Sequence, residues 1–295
     1  MKEDKSAGKS LKKTILAGAL LIGSSTFLFQ GLTQAAMAVE LGKTCKFPTS
    51  YTGYMNSSNA ATANNLPAGY KKSHYSVRAI DLEYYRNQTP TSKDMIKEAA
   101  AEIGAQSLWK VFDLNLEGQV IEMGYQSATA SLPRSSWHGD VLINGQCSFC
   151  FSVDSVTGEL LDISRNRTLN KNVSLAFDAS LAKNPLEYVG LAQKLAKEYN
   201  VVHGAVKSVE YNGQGYNNND PDISLDITGE NGEIALMTFS RYDKALLGVA
   251  YNSEYKPSRE FAERYAKEMQ KKAEDMRKSA PPANQNQAPS LNVLQ

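Results

Sequence analysis

The chain has little of what usually announces chemistry. Among 295 residues there are three Cys, three His and two Trp. Three cysteines leave one without a mate, which excludes a disulfide-dense small scaffold. Basic and acidic side chains nearly cancel, 32 against 31. The field that gathers polyanions is missing, so nucleic acid is not an expected partner. No serine sits in a Gly-x-Ser-x-Gly elbow, and no glycine-rich loop is spaced to cradle phosphate. No unbroken apolar run reaches the ~20 residues that span a bilayer comfortably as a helix.

What is present begins at the N-terminus. Lys9, Lys12 and Lys13 lead into an apolar stretch from Ile15 to Phe29, broken by Gly18, Gly23 and Ser24-Ser25 and followed by Ala36-Met37-Ala38. A basic head, a short apolar middle and small residues before a scissile bond are what an export channel and its peptidase read. Residues 1–38 are therefore expected to be a signal cut between Ala38 and Val39. The expected location is secreted or on the exterior face of the cell envelope, with membrane contact only through residues 14–29 if the signal stays uncut. Without residues 1–38 the totals become 27 basic and 29 acidic, and 257 residues remain. That length suits one large domain or two small ones. Residues 39–90 read as a partly irregular N-terminal segment. Residues 279–295, rich in Pro and Gln, read as a disordered tail.

Between these ends the order of elements repeats. In the second half, Asn184-Pro185-Leu186-Glu187 is a helix start, with Asn able to cap, Pro at the first turn and Glu in place for a capping box. Leu186, Val189, Ala192, Leu195 and Tyr199 follow at helical spacing. The period then drops to two: Val202 to Tyr211 reads as a strand, and Ile223, Leu225 and Ile227 alternate along another. Asn231-Gly232 signals a hairpin whose central positions need positive φ. Ala235, Met237 and Phe239, then Leu247, Val249 and Tyr251, complete the unit. In the first half Thr91 or Ser92 caps a helix carrying Ile96, Ala99 and Ile103, with Gly104 as its stop. Leu108 to Leu116 and Val120 to Tyr125 read as strands. Val141 and Ile143 lead to a hairpin at Asn144-Gly145, after which Cys147, Phe149, Phe151 and Val153 alternate, and Leu161 and Ile163 close the unit. Side by side, Phe151-Ser152 falls on Phe239-Ser240, with a two-residue gap before Leu160-Leu161 meets Leu246-Leu247. The expected fold is α+β: two repeated units, 91–168 and 184–252, each a helix packed on a three- to four-stranded antiparallel sheet. A last helix is expected over 257–278, opened by Ser258, with Phe261, Tyr265, Met269, Ala273 and Met276 along one face.

The segment Phe151–Ile163, FSVDSVTGELLDI, has an apolar strand, Val-Asp, a turn with Thr-Gly-Glu and a second apolar strand. It resembles the end of a PepSY-type module, a small helix-plus-sheet unit of exported bacterial proteins and peptidase propeptides. The second copy departs from it, with Arg241-Tyr242-Asp243-Lys244 in the turn. The resemblance implies a non-catalytic module that binds or restrains a partner, often a peptidase. Tandem copies behind an export signal resemble a cell-envelope protein of spore-forming bacteria that controls a cell-wall hydrolase. It brings no catalytic residues with it.

Cys147-Ser-Phe-Cys150 has the spacing of a redox or metal pair. Thioredoxin-type chemistry places its first Cys at a helix N-terminus, whereas both flanks here read as strand. Zinc needs four ligands, and only Cys45 and three histidines, His74, His138 and His203, remain to join the pair. On a regular strand, residues three apart face opposite ways. Cys147 is thus expected in the core with Phe149 and Phe151, and Cys150 outside, where it can bridge to Cys45 in an oxidising exterior. The Asn217–Asp222 stretch lacks the alternating oxygens, turn Gly and closing Glu of a calcium loop and reads as a hairpin loop. No catalytic, cofactor or metal residue is assigned.

The reading is an exported, non-enzymatic envelope protein that binds another protein or peptide and regulates it. Its partner would be a peptidase or a cell-wall hydrolase, and the contact area an exposed sheet edge or open sheet face. Two alternatives stand beside it. One is a hydrolase whose residues come from distant loops, which requires at least two of His138, Asp140 and His203 to meet in a cleft. The other is a structural component of an envelope layer or spore coat.

Overall fold

Alternating residues in both halves of the chain join one sheet. In a computed structural model, which describes residues 66–129 and 133–279, the first half runs β1 (Ser76–Ala79), α1 (Glu83–Arg86), α2 (Lys97–Phe112), β2 (Val120–Gln126), β3 (Ser136–Ile143), β4 (Gln146–Asp154) and β5 (Leu160–Arg165). The second runs α3 (Ala179–Lys183), α4 (Leu186–Tyr199), β6 (Val206–Asn217), β7 (Asp220–Gly229), β8 (Ile234–Ser240), β9 (Leu246–Ala250) and α5 (Asn252–Ser279). The nine strands are ordered β1-β2-β3-β4-β5-β9-β8-β7-β6. Each half is therefore a helix followed by a four-stranded antiparallel meander, and the meanders meet at β5 and β9, also antiparallel. β1, from the segment read as irregular, adds to β2 in parallel. The α+β class stands, but as one continuous sheet rather than two separate ones. Residues 1–65, with the expected signal, its expected Ala38–Val39 junction and Cys45, lie outside the described residues, as do 280–295 of the expected tail. No helix among the described residues is long and apolar enough to cross a membrane.

Helices α2 and α4 cover one face. Under them lies the core: Ile121, Met123, Val141, Phe151, Val153 and Ile163 from the first meander, and Ile223, Leu225, Ile227, Met237, Phe239 and Val249 from the second. The helix bounds correct the sequence reading. Gly104 is interior to α2, because a Cβ there would lie 2.2 Å from the Phe151 ring. Leu108, expected in a strand, is a fully buried residue of the same helix. Asp113, at φ 52°, ends it. Thr91 does not cap α2; its amide and hydroxyl donate to Asp94 Oδ2 at 2.7 and 2.6 Å. Asp94 also accepts from Tyr125, Ser135 and Ser155. Burial opposes its ionisation, yet the hydroxyls of Ser155, Thr91 and Ser135 outweigh that and hold the carboxyl far below the usual range. Asn184 makes no capping bond to α4, which follows Pro185. The last helix begins at Asn252, ahead of the expected Ser258, and Pro257 lies inside it. From Pro257 on the chain is a separate unit, in which Phe261 and Tyr265 stack at 6.2 Å.

The closing turns of the two halves are built alike. Val153 pairs with Leu160 and Phe239 with Leu246, in each case just past a bulge. Asp154 N donates to Glu159 O and Gly158 N to Asp154 O; Ser240 N donates to Ala245 O and Lys244 N to Ser240 O. Gly158 and Lys244 both take positive φ, 77° and 63°. The register thus sets Phe239 against Val153 and Met237 against Phe151, with no gap. Matching the identical Phe-Ser letters shifts that alignment by two residues. The two hairpin signals also differ. Asn144 and Gly145 both take positive φ and join Ile143 to Gln146 directly, whereas at Asn231-Gly232 only the glycine does.

Candidate functional site

On the face away from α2 and α4, His138 and Asp140 of β3 point outward because Trp137, Gly139 and Val141 point in. The register carries that polar strip across the sheet: His138 lies beside Ser152 and then Asp162, Asp140 beside Cys150 and then Ser164. A bulge breaks the regular alternation beyond Val141. β3 and β4 slip between the Val141–Phe149 and Leu142–Cys147 pairs, leaving Ser148 as the extra residue. One added residue reverses which side faces out. Cys147, expected in the core, is exposed, and its sulfur lies 3.5 Å from that of Cys150 on the same side.

Asp140 Oδ1 is the meeting point of this cluster. His138 Nε2 lies 3.1 Å from it, the Cys150 thiol donates at 3.3 Å and the Cys147 thiol at 3.6 Å. The other ring nitrogen, His138 Nδ1, is 3.4 Å from Ser152 Oγ. Tyr85 of α1 lies parallel to the imidazole at 6.4 Å and covers Gly124, where a Cβ would meet its ring at 2.6 Å. From the chain after β5, Asn166 Nδ2 donates to Cys150 Sγ at 3.3 Å and reaches Cys147 Sγ at 3.8 Å. Asn166 N donates to Ser148 O at 2.7 Å, and Asn217 Nδ2 donates to Asn166 Oδ1 at 2.9 Å. The amide is thereby fixed with its donors toward the sulfurs.

Charge follows from these neighbours. Burial disfavours the imidazolium, but Asp140 outweighs it and His138 is raised. Burial likewise opposes ionisation of Asp140, and His138 brings it below the usual range. The Cys150 hydrogen bond lowers Cys147; the same contact, with burial and Asp140 behind it, pushes Cys150 far up. Farther along the strip burial raises Asp162. Burial also lifts Glu254 to about 7, aided by Asp162 and opposed by Arg134. A carboxyl raised on folding stabilises the fold fully below its unfolded value, near ~4.3, and that contribution is lost as pH rises through about 7. Glu254→Gln is expected to flatten the fall in stability over that window and to raise Tm on its alkaline side, read by thermal melts across pH.

Cys150 lies in the site, and its expected mate Cys45 is outside the described residues. His138 is on a strand rather than in a loop. His203, at φ 45°, is exposed and pairs with Glu233 at 2.9 Å, away from the strip. His74 is exposed beside Glu117. Of the three hydrolase candidates, two meet and the third does not. Asn218 and Asn219 form a tight turn in the Asn217–Asp222 stretch, and Asp220 is taken up by Arg167 and Ser240. Sequence reasoning missed Asn166, Ser152 and the joint placement of the thiols. The His-x-Asp spacing on a strand was the available signal, since period two puts both on one face.

No protein-family model matches this chain, and no curated protein matches it. Among solved structures, the C-terminal domain of YpeB from Bacillus megaterium is similar, with a TM-score of 0.36 and 12% identity, over 55% of this chain and 65% of that domain. The chain thus spans less than two thirds of that domain's length. A likeness at that level says nothing of function.

Proposed function

We propose that the chain is an exported, non-catalytic protein of the cell envelope that binds another protein or peptide and restrains it, with a peptidase or cell-wall hydrolase as the class of partner. In this reading the two halves are tandem PepSY-like copies. The Phe151–Ile163 motif, the repeated order of helix and meander and the like-built closing turns support it. The observation that carries the binding mode is β6. Among the described residues this twelve-residue strand pairs with β7 on one side only. An unpaired edge offers backbone donors and acceptors to an extended segment. Lys207, Glu210 and two register shifts, near Val206 and near Tyr211, discourage indiscriminate edge-to-edge growth.

The polar strip is poorly arranged for nucleophilic catalysis. An activated cysteine needs a base on its own proton and a third group behind the base. Here the Asp140 carboxylate stands between both thiols and the imidazole, so neither thiol has the base on its own proton. Immobilised full-length chain is expected to enrich at least one envelope protein from extract over the same chain heat-unfolded on the resin. Equal recovery on both resins contradicts the proposal.

A further inference from the structure

We propose that His138, Asp140, Cys147 and Cys150 form a binding site for one zinc-class divalent ion. The inference goes beyond partner binding and does not depend on it.

The donor set is two thiols, one imidazole and one carboxylate, drawn from neighbouring strands. Thiolate and imidazole select borderline-soft ions such as zinc over calcium or magnesium. Four of the six ligand–ligand distances lie near those of a small tetrahedron. Bonds of about 2.3 Å to sulfur and about 2.0 Å to nitrogen or oxygen set ligand–ligand edges at about 3.8 Å between sulfurs and about 3.3–3.5 Å otherwise. The edges here are 3.5 Å from Cys147 to Cys150, 3.3 and 3.6 Å from the sulfurs to Asp140, and 3.1 Å from His138 to Asp140. His138, Asp140 and Cys150 form the compact part of the set, their ligand atoms all within 4.8 Å of one another, and Cys147 joins it from the side of Cys150 and Asp140.

Hydrogen bonding alone explains the cluster poorly. Three donors crowd one carboxylate oxygen, and two of them are weak thiols. Packing does not explain it either, since Cys147 is exposed. A divalent ion accounts for both features: each thiol gives its proton to solvent on binding, and the cation removes the repulsion between two thiolates and Asp140. The surroundings are those of a supported site. Ser152 holds His138 Nδ1 and leaves Nε2 for the ion, while Asn166, fixed by Asn217, directs its amide at the sulfurs.

Cobalt(II) titration of the full chain, purified reduced and metal-free, tests this. The expected result is uptake of a single ion per chain, with thiolate-to-cobalt charge transfer and tetrahedral ligand-field bands, both erased by stoichiometric zinc. Cys45→Ser is expected to leave uptake unchanged and Cys150→Ser to abolish the charge-transfer signal. Asn166→Ala is expected to weaken affinity by about 10–100-fold at unchanged stoichiometry. Circular dichroism establishes that each variant is folded, and the wild-type spectrum decides the matter should Cys150→Ser fail to fold. Absence of stoichiometric uptake by the reduced chain, an octahedral spectrum, or uptake that survives Cys147→Ser with Cys150→Ser overturns the proposal. So does uptake that depends on Cys45.

Discussion

Arg167→Ala is expected to cost about 3–5 kcal/mol of folding stability, the range for stranding a buried charge, measured by denaturant unfolding. Arg167 follows β5 and reaches into the second half of the sheet. Its Nε donates to Asp220 Oδ2 at 2.5 Å, and its two terminal nitrogens donate to both oxygens of Asp243 at 2.8 and 2.7 Å. Asp220 is 1% exposed, so losing the guanidinium leaves a carboxylate with little water and, among the described residues, Ser240 as its remaining side-chain donor. The Asp243 arm, 40% exposed, contributes far less. Lysine keeps the charge but not the fork, so Arg167→Lys should recover only part of the loss. In an Asp220→Asn background Arg167→Ala should cost much less, because the stranded charge is gone. The pair also has a pH signature. Arg167 holds Asp243 down to about 2. A depressed carboxyl contributes stability above its unfolded value, near ~3.9, and loses it as pH falls toward the folded one. Arg167→Ala should therefore bring acid unfolding to higher pH.

The second large effect concerns one ring. Phe151 is fully buried between Gly104 of α2 and Gly139 of β3, where added Cβ atoms would lie 2.2 and 2.3 Å from it. Phe151→Ala is expected to cost about 3–5 kcal/mol through lost transfer and an unfilled cavity. Gly104→Ala is the sharper test. In an unconstrained helix interior that change stabilises by about 1 kcal/mol; here overpacking against an immobile ring should reverse the sign and cost about 1–3 kcal/mol. Leucine has no ring atoms at that spot, so Gly104→Ala combined with Phe151→Leu should cost less than the two separate losses added together. A stabilising Gly104→Ala would contradict the packing described.

These residues also show where sequence and structure part. Strands such as β2, β5 and β8 were legible because apolar residues recur at every second position, Ile121-Met123-Tyr125, Leu161-Ile163 and Ala235-Met237-Phe239, even though β8 is buried on both faces. α4 was legible from its apolar spacing, and Asn200, at φ 55°, ends it. Gly104 read as a stop because glycine ends helices more often than it occupies their middle; only the Phe151 ring, distant in sequence, explains its place. With that helix cut short, Leu108 and its neighbours became a strand. The strip was half legible. His138 and Asp140 share a face by alternation, and Asn144-Gly145 sets β4 against β3. Counting back from that turn without a bulge puts Asp140 beside Phe149; the extra Ser148 puts it beside Cys150. No local signal marks that slip, which is held by Asn166 binding the bulged backbone. The shared closing turn was hidden for a related reason: its bonds are mostly backbone, so VDSVTGEL and FSRYDKAL make one shape with few letters in common.

The binding account is tested most directly by photo-crosslinking in the native envelope, with a photoreactive residue at Tyr216 on β6 and, as control, at Leu186 on α4, both well exposed. The account predicts a discrete adduct from Tyr216, lost when an excess of unlabelled chain competes, and none from Leu186. Adducts from Leu186 alone, or from neither position, contradict it.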